Sequence, residues 1–310
     1  TVTMNGNTIT HDMSPVAPTT TMDSNLPLQQ APAPRSNDGV LIRTIPIGNG
    51  ARLFMTALNN TISLTNVTNS ATTPLLSDMH VDWNGPVASG FIEGNTFNFG
   101  VGSGEGLIVN LASVTATEQG SLFHIAGNTF SSPRGIATTG IDVTTAGAPA
   151  TILIGDLDGF AGNVMNFVTP NAGNGVVIGN RTDDIAMLFS LDTNSQTQIF
   201  NNTITMQTTT QTQEAMVFSS ITAPNTGVTI SGNTITMTEP NFNNLPFLSR
   251  GIDFQSVIVG PPPQLQRVNL FGVVDNRILI NNQARSVFPW FNAPANVFNG
   301  RIIVNGTPVP

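Results

Sequence analysis

Val228-Thr229-Ile230-Ser231-Gly232-Asn233-Thr234-Ile235-Thr236-Met237 carries an apolar residue at every second position on either side of a Ser-Gly-Asn break. Alternation with period two is a strand signal, so the stretch reads as strand, corner, strand. No two-residue hairpin turn sequence closes it, and the second strand therefore continues forward instead of folding back. The same phrase recurs along the chain, as VTMNGNTIT around Asn7, ALNNTISL around Asn60, FIEGNTFNF around Asn95 and FHIAGNTF around Asn128. It returns as GFAGNVMNF around Asn163, QIFNNTITM around Asn202 and GVVDNRILI around Asn276.

Including Asn233, the eight asparagines are 53, 35, 33, 35, 39, 31 and 43 residues apart, an internal repeat with room for loop insertions. Asparagine is the non-glycine residue that most readily enters the left-handed backbone region. The repeated Asn is therefore expected to take that conformation and turn an extended chain through a corner. A third strand follows in most units: Gly39-Val40-Leu41-Ile42, Gly106-Leu107-Ile108-Val109, Gly140-Ile141-Asp142-Val143, Ala186-Met187-Leu188-Phe189, Ala215-Met216-Val217-Phe218 and Gly251-Ile252-Asp253-Phe254.

Three strands per repeat make a triangular rung. Stacked in parallel about 4.8 Å apart, eight or nine rungs form an all-β solenoid roughly 40 Å long. The corner residues Asn7, Asn60, Asn95, Asn128, Asn163, Asn202, Asn233 and Asn276 then lie one above another as a structural ladder. Each amide donates to the next, with a net gain of about 1 kcal/mol per buried bond. These residues are read as corner pieces and not as ligands. The sequons at Asn59, Asn66, Asn180, Asn201 and Asn305 follow from so much Asn and Thr and carry no weight.

A repeat running from end to end argues for a single domain over residues 1–310, built coil by coil. Residues 11–38 form a long Pro/Thr-rich loop, and 66–79, 238–250 and 260–266 read as further long corners without strand character. If the solenoid has a binding edge, it lies in those loops.

Charged residues make up 9% of the chain, against about 25% in a typical soluble protein. There is no Lys, Tyr or Cys, and 18 carboxylates face 10 arginines for a net charge of -8. A nucleic acid or an acidic membrane surface finds few cations to pair with. No apolar stretch approaches the roughly 20 residues of a membrane span, which argues against membrane insertion. The chain begins at Thr1 inside a repeat phrase, so it is expected to be processed or cut from something longer, a step that could remove a secretion signal.

The phrases resemble the right-handed parallel β-helix superfamily, the fold of pectate lyases, polygalacturonases, phage tailspikes and many secreted adhesin and autotransporter passengers. The resemblance spans VTMNGNTIT to FNGRIIV and is closest in character to the passenger β-helices. It implies a right-handed coil and admits two enzyme readings. Polygalacturonase-like enzymes carry an Asp pair with Gly-His-Gly and Arg-x-Lys; here only Asp183-Asp184 survives. Pectate-lyase-like enzymes need carboxylates for calcium and a base beside the uronate. Asp78, His80 and Asp82, at alternate positions of SDMHVDW, are the best catalytic-looking set, though an outward polar strand face has the same pattern.

Gly155-Asp156-Leu157-Asp158-Gly159 looks like the start of a calcium loop, with Asp156 and Asp158 two apart, but it lacks the later bidentate acid and is read as a solvated turn. No cofactor is expected. His11 and His124 stand alone in the sequence, and Trp83, Trp290 and Phe291 read as core or end packing before sugar stacking.

Neither end shows the helix or charged cap that usually closes a solenoid, so the expected partners are copies of the chain or adjoining coils of a longer one, with glycans as a further candidate. The function read from the sequence is a secreted or cell-surface structural or adhesive β-helix that assembles end to end. The alternatives are a polysaccharide lyase or hydrolase and a glycan-binding, tailspike-like module without turnover.

Overall fold

The computed structural model describes residues 1–12, 39–43, 52–65, 76–85, 87–98, 104–112, 121–131, 139–146, 150–156, 162–168, 183–192, 194–207, 212–222, 226–238, 248–255, 257–258, 268–274, 276–281, 291–292, 298–299, 303–304 and 307–308. Every regular element among them is a strand, and the strands form three parallel sheets wound around one interior. The chain is a right-handed parallel β-helix.

The first face stacks nine strands: Val2–Asn5, Arg52–Leu58, Val87–Glu93, Ser121–Ala126, Ala150–Gly155, Gln196–Phe200, Gly227–Ser231, Val268–Val274 and Phe298–Asn299. The second stacks eight: Thr8–Asp12, Thr61–Thr65, Thr96–Asn98, Thr129–Ser131, Val164–Val168, Thr203–Gln207, Thr234–Thr238 and Arg277–Asn281. The third runs from Val40–Arg43 through Leu76–Asn84, Gly104–Ala112, Thr139–Ala146, Asp183–Leu191, Thr212–Thr222 and Leu248–Phe254 to Phe291–Asn292, with Val257–Ile258 pairing beside it. Eight steps along the first face give a length of about 38 Å. One short antiparallel pair, Ile303–Val304 with Thr307–Pro308, departs from the coil pattern.

Burial alternates along the strands as the sequence predicts; Arg52–Leu58 has Leu53, Met55 and Ala57 inside and Arg52 and Phe54 outside. Stacking turns each inward position into a column. On the second face Ile62, Phe97, Phe130, Met165, Ile204, Ile235 and Ile278 lie in register and are essentially sealed from solvent. Columns of like residues let rings stack: Phe97 on Phe130 at 4.7 Å, and Phe189 on Phe218 on Phe254 at 4.8 and 4.5 Å. Gly90 leaves its place in a first-face column to a neighbour, since a Cβ there would lie 2.5 Å from the Phe123 ring.

The ladder is present over all eight asparagines, but the expectation that the ladder Asn itself adopts the left-handed conformation is corrected. Positive φ falls on the residue before it: Gly6, Asn59, Gly94, Gly127, Asn201 and Gly232. The ladder residue can then keep ordinary backbone geometry and spend its amide on its neighbours. In the coil of Asn163 the left-handed residue is Gly155, and the segment 156–162 is inserted between it and the ladder position.

Three expected loop boundaries are also corrected, the first by the strand Thr8–Asp12, which runs into the expected loop 11–38. Leu76–Asn84 is a strand that begins inside the expected corner 66–79, and Thr234–Thr238 and Leu248–Phe254 reach into the expected corner 238–250. Backbone pairing with the neighbouring coils imposes strand on residues whose local composition does not ask for it. The remainder of those corners, most of 11–38 and all of 260–266 lie outside the described residues.

Candidate functional site

Asp78, His80 and Asp82 lie on one third-face strand, Leu76–Asn84, and the structure separates them. Alternation predicts Asp78, His80 and Asp82 on one strand face. His80 and Asp82 do share the partly exposed outer surface, but Asp78 is fully buried. The reason is a bend. Pairing between coils skips the positions Asp78/Gly106, Gly140/Ala186 and Ala215/Gly251 while resuming on either side. A side chain built on Gly140 would meet Phe167 and Met165, and one on Gly251 would meet Ile278, so this column faces the interior. Glycine and alanine fill the inside of the bend in the later coils, and Asp78 occupies the same position in the second. Period two fails where the strand folds over a corner, and the three-residue polar row is split.

Each remaining member of the row is engaged. Arg43, delivered by the preceding coil in register with Asp82, donates from Nε to Asp82 Oδ2 at 2.7 Å. His80 Nε2 lies 3.2 Å from Asn110 Nδ2 of the next coil; with the amide donating, the proton of a neutral imidazole sits on Nδ1. The guanidinium is 57% and the carboxylate 31% exposed, so the pair is a solvated one.

The calcium-like phrase is divided as well. Asp156 is buried at the ladder corner, where its backbone carbonyl accepts a hydrogen bond from Asn201 Nδ2 at 2.7 Å. Asp158 lies outside the described residues, as does Trp290. Among the described residues no three His, Asp or Glu side chains converge to hold a metal ion. No helix among them is long and apolar enough to cross a membrane. His124, alone in sequence, meets Glu93 of the preceding coil at 2.9 Å and stands edge-on to Phe91.

The strongest ionic cluster is one that the sequence reading missed. Glu214, Arg250 and Asp253 meet on the third face, with Arg250 Nη1 donating to Glu214 Oε1 at 2.9 Å and to Asp253 Oδ2 at 2.5 Å. Glu214 and Arg250 are register partners in adjacent coils, and both carboxylates are buried, Asp253 completely. Gln255 Nε2 adds a contact to Asp253 Oδ2 at 3.3 Å, while Asp253 Oδ1 takes no hydrogen bond among the described residues. Burial alone would lower the Arg250 guanidinium; the hydrogen bond and charge of Asp253, followed by those of Glu214, outweigh it and hold it above its ordinary value. A signal did exist: Glu214, Arg250 and Asp253 are three of few charges in a chain that is 9% charged, Asp253 lies in a third-strand phrase, and Arg250 and Glu214 each stand just before one.

His80 and Asp253 occupy the same outer column, five coils apart through Ile108, Asp142, Leu188 and Val217, hence about 24 Å apart. The two polar clusters cannot act on one bond. What the arrangement does chemically is set one guanidinium against two buried carboxylates at one end, offsetting part of their charge, and make a solvated ion pair at the other. No family model matches the chain, and no curated protein or solved structure matches it.

Proposed function

We propose that the protein is a structural or adhesive β-helix of the secreted or cell-surface kind, a member of the pectate-lyase-like superfamily used as a rigid rod and capable of joining other coils end to end. The observation that supports this reading is the ladder: seven consecutive amide-to-amide links run the length of one corner, each 2.9–3.0 Å long. A repeat closely related to its neighbour by translation suits a rod, and the ladder amides all point along one direction, so another coil in register could extend it by the same bonds. Electron micrographs across a concentration series test this. Filaments that lengthen with concentration are expected, and short rods of constant length at every concentration would remove the assembly element.

A second reading, a polysaccharide lyase or hydrolase, draws on the two buried carboxylates Glu214 and Asp253 gathered on one guanidinium. Incubation with uronate and neutral glycans decides between the readings. No turnover is expected, and turnover abolished by Asp253→Asn or Asp82→Asn in a folded protein would replace the structural proposal with the enzymatic one.

A further inference from the structure

We infer that the second face is a binding surface for crystalline water. Two columns of outward positions run through seven of its eight coils and end at Arg277 and Leu279, both exposed, in the eighth. The first reads Thr8, Thr61, Thr96, Thr129, Val164, Thr203 and Thr234 in successive coils, and the second Thr10, Ser63, Asn98, Ser131, Asn166, Thr205 and Thr236. Thirteen of these fourteen side chains carry a hydroxyl or an amide, and none is ionisable. Thr8, Thr129, Val164, Thr203 and Asn166 are exposed and the others partly so, Thr10 being exposed as well.

The array is a lattice. Coils repeat about every 4.8 Å, and the two columns are two residues apart on each strand, about 6.6–6.8 Å. Both distances are of the order of the oxygen–oxygen repeats in a hydrogen-bonded water lattice. The described strands of this face pair without a register shift, whereas the first face slips at Val228/Thr229 and the third at Phe189/Ser190. The groups are also held in place. Threonine is stiff at χ1, and Asn98 donates to Ser63 Oγ at 3.2 Å while accepting from Ser131 Oγ at 2.5 Å. Hydroxyls and methyls held on a regular grid are pre-organised to join a hydrogen-bonded water lattice at a reduced ordering cost.

Charge and area choose the occupant. The fourteen positions carry no ionised group, and Arg277 stands only at the eighth coil, so the two columns offer a polyelectrolyte little and match a neutral lattice of donors and acceptors. A second copy fits less well: seven coils by the length of a five-residue strand is roughly 500 Å², below the about 800 Å² per partner of a standard interface. This inference names a surface for the adhesive reading above and rests on it only in that respect, because its readout involves neither filaments nor glycan turnover.

The test is freezing hysteresis and inhibition of ice recrystallisation by the whole chain, by Thr129→Tyr/Thr203→Tyr, and by a control, Thr229→Tyr, on the first face. The folded chain and the control are expected to shape ice crystals and depress freezing, and the double variant to lose most of that activity while its circular dichroism and Tm stay near those of the parent. If the double variant does not fold, Thr129→Tyr alone serves. A folded chain with no hysteresis and no recrystallisation inhibition overturns the inference, as does undiminished activity in the folded second-face variant. Sedimentation with microcrystalline cellulose or chitin, lost on the same substitutions and without any effect on ice, would give the face to a polysaccharide surface and overturn it equally.

Discussion

Asn95 donates from Nδ2 to Asn128 Oδ1 at 2.9 Å, and its backbone N–H donates to the same oxygen at 2.8 Å. Asn128 in turn gives one amide hydrogen to Asn163 Oδ1 and the other to the Ile92 carbonyl, so its side chain uses two acceptor sites and two donors in a fully buried place. Removing it leaves several polar groups unmatched, each costing about 1–3 kcal/mol. Asn128→Ala is expected to cost at least about 3 kcal/mol by that arithmetic. Asn7→Ala, at the exposed start of the ladder, should cost under about 1 kcal/mol. Urea unfolding of both variants checks the contrast, and equal losses would show that the ladder is not what holds the corner.

The corner glycines separate conformation from space. Gly6 has φ +66 with nothing near its Cβ position, so Gly6→Ala meets only the left-handed penalty of about 1–2 kcal/mol. Gly155 has φ +84 and a Cβ there would lie 1.8 Å from the Phe200 carbonyl oxygen. Gly155→Ala must therefore displace a neighbouring coil, and its loss of Tm should clearly exceed that of Gly6→Ala. Asn59→Gly, at φ 54, should be close to neutral.

Phe218 is sandwiched between Phe189 and Phe254 in the buried core. Phe218→Ala should lose about 3–5 kcal/mol, and Phe218→Leu much less because most of the volume stays filled. Denaturant midpoints for the pair measure the difference.

Arg250 holds two buried carboxylates, and its removal strands both. Arg250→Met should destabilise by about 3–5 kcal/mol near neutral pH, while Arg250→Met with Glu214→Gln and Asp253→Asn should recover much of that loss. The raised guanidinium sets the sign of the pH effect. A cation whose folded pKa exceeds its unfolded value contributes fully below the unfolded value and loses that contribution only as pH rises through the folded one. Both lie above the neutral and mildly alkaline range, so stability from pH 7 to pH 10 should show no loss due to this group. A fall there that disappears in Arg250→Met would contradict the assignment.

By itself the sequence determined the coil. Alternation around eight regularly spaced asparagines specifies strand, corner and strand, and Val228 to Met237 shows it most plainly, because a period of two survives wherever one face of a strand is buried. The third-face strands, the inward columns and the ladder were legible for the same reason. The identity of the left-handed residue was not: Asn and Gly both tolerate positive φ, and only the backbone shows that Gly232 takes the turn and leaves Asn233 free to bond.

Tertiary structure alone decided which charged groups meet. Arg43 reaches Asp82 across 39 residues and Arg250 reaches Glu214 across 36, distances set by loop lengths that local pattern does not encode. The same stacking placed Asp78 inside a bend and away from His80, and it aligned single threonines of separate coils into a grid. Register between coils is a property of the whole winding: each strand reads its own alternation, but its neighbours are chosen by the closure of a complete turn.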